Sequence, residues 1–406
     1  MPGLFQKILL SAALLGLAVE GAPSTATKQQ GNGPKAIYFL TNNAQNAVVA
    51  LPVGCDGTLS RGSVTGTGGK GSNSIDMGTN LPAGPDALSS QSALKVSGQY
   101  LFAVNAGSNS LTMFSISAKD PTKLTALGQS ASIPGDFPVT VAASAKNNLV
   151  CVGTTGAKSG VSCTSFSSQG LGKMDALRPF GLGQTTPPVG PFNTVSQVFF
   201  SGDESVLFTA VKGNPPANNT GFISAFPVNA KSPCGGAITT LSTTETRSSP
   251  AGTAVLFGSA AIPGSTSLFV TDASFGAAVL AVDSSDKTTL TGKGVIADQS
   301  ATCWVAISDV TGNAYVTDIA VNHIVEMSTK DASIISSTDL SANGGTGLTD
   351  IASGGNFLYA LSAGDGKAKA TVTVLDVSGG KVKQVQYFDV SSTGAGKNAQ
   401  GMTLLM

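Results

Sequence analysis

Few residues in this chain can do acid–base or nucleophilic chemistry. The 406-residue sequence holds one histidine, His323, three arginines (Arg61, Arg178, Arg247) and four glutamates. A single imidazole excludes mechanisms that need several, and any histidine-rich metal site. His323 stands five residues after Asp318 and next to Asn322. Such a pair provides a general base working near neutral pH, with the carboxylate raising the basicity of the ring. His323 and Asp318 are therefore the candidate catalytic residues. Asp318 ends a Val-Thr-Asp run whose counterpart ends at Asp272. The two carboxylates are expected on one rim, where they would share a proton or hold a cation. Lys212, with Lys158, offers positive charge to an anionic ligand, and Gln197 and Asn105 offer neutral hydrogen-bonding groups. Each has a plainer reading: a surface-loop histidine, aspartates that shape turns, solvated lysines.

Other chemistries are missing from the sequence. No GxSxG, HExxH, CxxC or EF-hand pattern occurs. In the run GTGGKGS, Gly71 stands where a phosphate loop needs Ser or Thr, so Gly66–Ser72 reads as a flexible loop. No metal and no cofactor is implied. Charged residues make up 11% of the chain with a net charge of zero, against about 25% in an average soluble protein. That excludes nucleic-acid binding by a basic surface and favours recognition through hydrogen bonds.

The elements that must position these residues come from a repeat. An apolar strand, a Gly/Asn/Asp turn, an aliphatic-aromatic strand, a polar tip and a third alternating strand recur seven times. Instances are GQYLFAVNAGSNSLTMFSI from Gly98, STSLFVTDASFGAAVLAV from Ser265 and GNAYVTDIAVNHIVEM from Gly312. Markers Phe39, Phe102, Val150, Phe208, Phe269, Tyr315 and Tyr359 lie about 53 residues apart on average, the length of a four-stranded blade with its loops. Period-2 alternation assigns strands, and no stretch carries a sustained helical stripe. The fold class is all-β, a seven-bladed β-propeller. Blades two to seven each have a strand ahead of the marker, such as ALKVSG or CWVAISD, and blade one has none. Residues 399–406 (AQGMTLLM) are expected to supply it by pairing with residues 37–40, closing the ring and hiding two sheet edges.

The ends and the cysteines suggest a compartment. Residues 1–21 combine Lys7 with an apolar run of 12 residues, Ile8–Val19, too short to span a bilayer, and read as a secretory signal peptide. Residues 22–35 are a flexible lead-in and 36–406 the propeller. No membrane span is expected, and the protein is expected to be secreted and monomeric. Cys151 and Cys163 lie on two strands around a Gly/Lys/Ser turn, facing each other as a disulfide. Cys55, Cys234 and Cys303 are left open. Asn218-Asn219-Thr220 is a glycosylation sequon in the polar tip of blade four.

The small-residue inner strand, Gly turn and YVTN-type strand, best seen in VSGQYLFAVNAGSNSLTMFSI and GNAYVTDIAVNHIVEM, resemble the lactonase family of seven-bladed propellers. That family includes carboxymuconate cyclase and the propeller-type phosphogluconolactonase. The resemblance covers about residues 35–406 and is closest to a secreted fungal branch that includes cell-surface glycoproteins. It implies a site at the central channel, where family enzymes use His, Arg and Glu on an acidic lactone or muconate. Here the corresponding segment, PFNTVSQVFFSGDESVLF, carries Asn193, Thr194, Ser196 and Gln197 in place of imidazoles. The expectation is thus an extracellular or cell-wall binding protein, without cyclase activity, for a host or cell-wall glycan or protein. A cyclase-like or lactonase enzyme at the channel is the alternative.

Overall fold

The computed structural model describes residues 33–229 and 239–406. The signal-peptide segment 1–21, the lead-in through residue 32 and Cys234 lie outside the described residues.

Seven antiparallel sheets of four or five strands form a ring of blades, with strands ordered along the chain from the axis outward in blades two to seven. Their innermost strands are Leu94–Ser97, Pro138–Ser144, Val195–Phe200, Leu256–Ala261, Thr302–Ile307 and Asp350–Gly354. Second strands such as Leu149–Thr154 and Val206–Val211 are buried along their whole length. Each blade packs on a neighbour through both faces, so these strands are rich in Val, Leu and Phe on both sides of the pleat. The outermost strands face water. Ile334–Asp339 and Lys383–Asp389 are mostly polar and exposed, and Lys383 blunts an edge that would otherwise template aggregation.

Blade one is closed as the repeat count predicts. Gln400–Leu405 pairs antiparallel with Ala36–Leu40, aligning Ala36 with Leu405 and Tyr38 with Thr403. Lys35 adds a backbone bond of 2.7 Å to the Leu405 carbonyl. In blade three Cys151 and Cys163 are register partners and are joined as a disulfide with Cα atoms 4.0 Å apart. Among the described residues Cys55 is an exposed thiol and Cys303 a buried one.

Two connections break the blade pattern. Residues 67–93 link blades one and two, far beyond the usual ~4–6 residue link, and residues 180–194 link blades three and four. They meet in a parallel two-stranded ribbon, Ile75–Asp76 with Val189–Gly190. The run Gly66–Ser72, expected to be flexible, is pinned between blade tips. The Gly71 amide bonds to the Asn43 carbonyl at 2.8 Å and the Gly107 amide to the Lys70 carbonyl at 2.8 Å.

Candidate functional site

The long first connection ends by crossing the axis. Asp86, Ser89 and Ser92 all adopt left-handed backbone, at φ 58°, 52° and 66°, a conformation that non-glycine residues hold only when their surroundings over-determine it. The surroundings here are inner strands from five blades. Ser90 Oγ donates to the Val139 carbonyl of blade three at 2.8 Å. The Ser90 carbonyl accepts from Trp304 Nε1 of blade six and Gln400 Nε2 of blade one, each at 3.1 Å. The Gln91 amide donates to the Ser196 carbonyl of blade four at 2.9 Å. The Gln91 side chain pairs with Val305, donating to its carbonyl at 2.8 Å and accepting from its amide at 3.2 Å. A Cβ on Gly258 would meet Gln91 Oε1 at 2.2 Å, so blade five approaches this segment only because it has glycine there. Residues 86–92 are a plug in the mouth of the channel.

The plug separates two cavities. One, of about 440 Å³, is the channel below it, lined by inner-strand residues that include Gln197, Lys95 and Glu204. Lys95 is surrounded by protein but keeps an exposed surface in the channel, and this enclosure pulls its ammonium pKa down against the opposing pull of Asp350 and Glu204. Gln197 accepts from the Ser259 amide at 2.5 Å and donates to Ser92 Oγ at 3.3 Å, tying the channel wall to the plug.

The other cavity, of about 420 Å³, lies off the axis between the plug, the two long connections and blades four to six. Its walls are mostly apolar, with Pro85, Pro191, Phe192, Val255, Phe257 and Ile319, and the Asp76 carboxylate and the Ser274 and Ser300 residues add polar groups. Lys212 and Asp86 both line it. Lys212 is 1% exposed, a state lysine almost never adopts without a partner. Its ammonium donates to the Ser89 carbonyl and stands over the Phe257 ring, 4.6 Å from the centroid. Burial pulls its pKa below the ordinary lysine value, with Asp86 opposing. Burial likewise pushes the Asp86 carboxyl above the carboxylate range, with Lys212 pulling it back. The two charges make no ion pair within 4.0 Å, and Asp86 Oδ1 is buried without any hydrogen-bond partner. Cys303, also in the wall, has its thiol pKa raised by burial and remains a neutral SH.

Of the residues singled out from sequence, only Lys212 lies in this pocket, and Gln197 lies in the channel. His323 is not in a loop. It opens the third strand of blade six and is buried, its Nδ1 3.9 Å from Oδ2 of the exposed Asp298. The structure does not bring it together with Asp318. The Asp318 carboxylate accepts instead from four backbone amides, those of Ser300, Ala301, Ala320 and Val321, at 2.7–2.9 Å. Asp272 repeats this in blade five, accepting from the amides of Ala254, Val255 and Ser274 and the Ser274 hydroxyl at 2.6–3.0 Å. Both carboxylates fasten a hairpin tip to the connection entering their own blade. No acceptor is left over to share a proton or hold a cation.

Asn105 is wholly buried between blades one and two, accepting from Asn46 and Thr67 and donating to Ser110 and Thr112. Asn218 is exposed, capping a short 3-10 turn at the tip of blade four. No arginine lines either cavity: Arg61 is exposed, Arg178 is locked to Asp175 at 2.9 Å, and Arg247 sits against Phe222 and Glu245. Asp86, Phe257 and Cys303 were not visible as site residues. The signal that could have found them was the length of the 67–93 connection, since long links in compact domains are usually functional.

Three solved structures share this fold. A periplasmic gluconolactonase of Pseudomonas aeruginosa superposes with a TM-score of 0.61 at 13% identity, over 91% of this chain and 99% of the other. A candidate 6-phosphogluconolactonase of Bacteroides fragilis does so with 0.60 at 10% identity, over 95% and 100%. A second candidate, from Bacteroides uniformis, gives 0.51 at 16% identity, over 70% and 80%. The fold is that of the gluconolactonase-type seven-bladed propellers. Neither a comparison with protein-family models nor one with curated protein sequences finds a match. At these identities the chain shares a scaffold with its neighbours, and what it does must be argued from its own side chains.

Proposed function

We propose that this propeller is an exported extracellular or cell-wall binding protein that takes a small ligand into its off-axis pocket and does not turn over lactones at the channel. The observation that carries the reading is the plug. It occupies the channel mouth where a lactonase-type site would open, and it leaves beside it a cavity of about 420 Å³ with apolar walls and a few polar groups, the general make-up of a small-molecule site. The channel below offers Lys95 and Glu204 but no arginine or histidine, which is poor equipment for a polyanionic muconate. The signal-like segment, the disulfide and the exposed Asn218 sequon support export and N-glycosylation.

Incubating the purified full chain with gluconolactone, its 6-phosphate and carboxymuconolactone tests this. The expected result is lactone loss at the spontaneous rate. A specific observation favours a second reading: burial lowers the pKa of Lys212, which would make it a usable amine base or nucleophile for opening a lactone. Turnover that disappears in Lys212→Met would establish that reading and overturn the first. Export and glycosylation are checked by the mobility of the secreted chain before and after N-glycosidase, with Asn218→Gln expected to match the deglycosylated band.

A further inference from the structure

We propose that the off-axis pocket recognises a neutral, mostly apolar molecule through one hydroxyl group, with the Asp86 carboxylate accepting its proton and Lys212 Nζ donating to its oxygen. This rests on the binding reading above and names the ligand class of that site. Three observations carry it. Asp86 lines the pocket and is buried, its Oδ1 without a hydrogen-bond partner in the protein; a carboxylate so placed loses free energy unless it is satisfied. Lys212, on the same wall, has bonded only the Ser89 carbonyl with its three donors. The two groups line the same cavity without an ion pair within 4.0 Å, so the pair does not satisfy itself, and a hydroxyl, both donor and acceptor, offers a partner to each.

The charges also select against other ligands. An anion attracted to Lys212 would meet Asp86 and Asp76, and a cation attracted to the carboxylates would meet Lys212. In a low-dielectric pocket either like-charge approach is strongly unfavourable. A hydroxyl keeps the pair balanced. Phe257, Phe192 and the three prolines Pro85, Pro191 and Pro215 then surround the rest of the molecule. The approach is apolar too: Met77, Leu81 and Val189, on the two connections that flank the cavity, are 51%, 63% and 40% exposed. A phenol or an alicyclic alcohol fits this chemistry.

Trp304, the only tryptophan, packs edge-on against Phe257 with ring centroids 5.1 Å apart, so its fluorescence reports on the pocket. The experiment titrates the full chain with para-cresol, cyclohexanol, toluene and benzoate, followed by tryptophan fluorescence and by calorimetry. Cresol and cyclohexanol are expected to bind, with toluene and benzoate about tenfold or more weaker, the worth of one charge-assisted hydrogen bond. Asp86→Asn and Lys212→Met should each reduce cresol to the affinity of toluene, and Ala301→Phe, which fills the cavity, should abolish binding of both. Toluene binding as tightly as cresol would overturn the hydroxyl clamp and leave the pocket reading standing. Benzoate binding more tightly than cresol would also overturn it, by making the pocket an anion site. No binding of any of the four would overturn both. If a charge variant fails to fold, shown by its circular dichroism melt, the ligand series on the unaltered chain decides alone.

Discussion

Two groups of buried aspartates sit at the same end of this ring, and they differ in what surrounds them. Asp272 and Asp318 each receive four hydrogen bonds from the protein itself. Asp86 has a buried oxygen that receives none. Burial alone would rank all three as equally interesting. Counting donors separates carboxylates that finish a fold from one that keeps an unfilled acceptor in the wall of a cavity, and a buried acceptor without a partner costs free energy.

The sharpest test of that distinction is removal of the saturated side chains. Asp318→Ala leaves four amides without their acceptor, and at roughly 1–3 kcal/mol for each buried orphan the loss should be on the order of 4 kcal/mol or more. Asp272→Ala should behave alike. Urea denaturation measures both, and a loss below about 1 kcal/mol for either would erase the difference between the two groups. The disulfide calibrates the scale. It closes a loop with a sequence separation of 12, so the double variant Cys151→Ala/Cys163→Ala should lose about 3 kcal/mol in the same assay.

The unsaturated pair should respond the opposite way. Replacing Asp86 and Lys212 together by Asn and Met removes two buried, incompletely paired charges, which is neutral or stabilising by about 1–4 kcal/mol. The gain has a pH signature. The Asp86 carboxyl is raised from 3.8 to about 6, so the native state holds a proton there that the unfolded chain has released, and stability falls as pH rises through that window. Lys212 is lowered from 10.5 to about 8, so stability recovers as pH rises from there towards the ordinary lysine value. The double variant should therefore exceed the parent most between pH about 6 and about 8, and the advantage should shrink on either side. A constant advantage from pH 4 to 10 would show that the two charges do not titrate as buried groups. The smallest effect belongs to His323→Ala. It loses packing and a weak Asp298 contact in blade six, and with the side chain outside both cavities it should leave cresol affinity unchanged.

The repeat, the blade count and the ring closure were legible because strand period and blade length are local, recurring properties of the chain. The closing strand could be placed by the absence of an inner strand before Phe39. The hairpin geometry around Ala157 located the Cys151–Cys163 pair for the same reason. The site was less legible. Lys212 stood out by its charge, but its burial depends on where residues 86–92 settle, and nothing periodic announces a segment that belongs to no blade. The Val-Thr-Asp endings of blades five and six drew attention as possible chemistry. Their carboxylates bind amides of residues 254–255 and 300–301, in connections whose path a strand pattern does not specify. His323 read as a loop residue because the tip Ile319–Asn322 is polar at its end, while the strand begins at His323 itself.

The partners of Ser90 lie at positions 139, 304 and 400, so this one residue depends on nearly the whole length of the propeller that follows it. Residues 86–92 behave like a keystone, early in the chain and held by what comes after. Their partners come from distant blades, and those contacts hold three of the seven residues in left-handed backbone. The pocket beside them, built partly from the same segment, thus depends on contacts drawn from both ends of the chain.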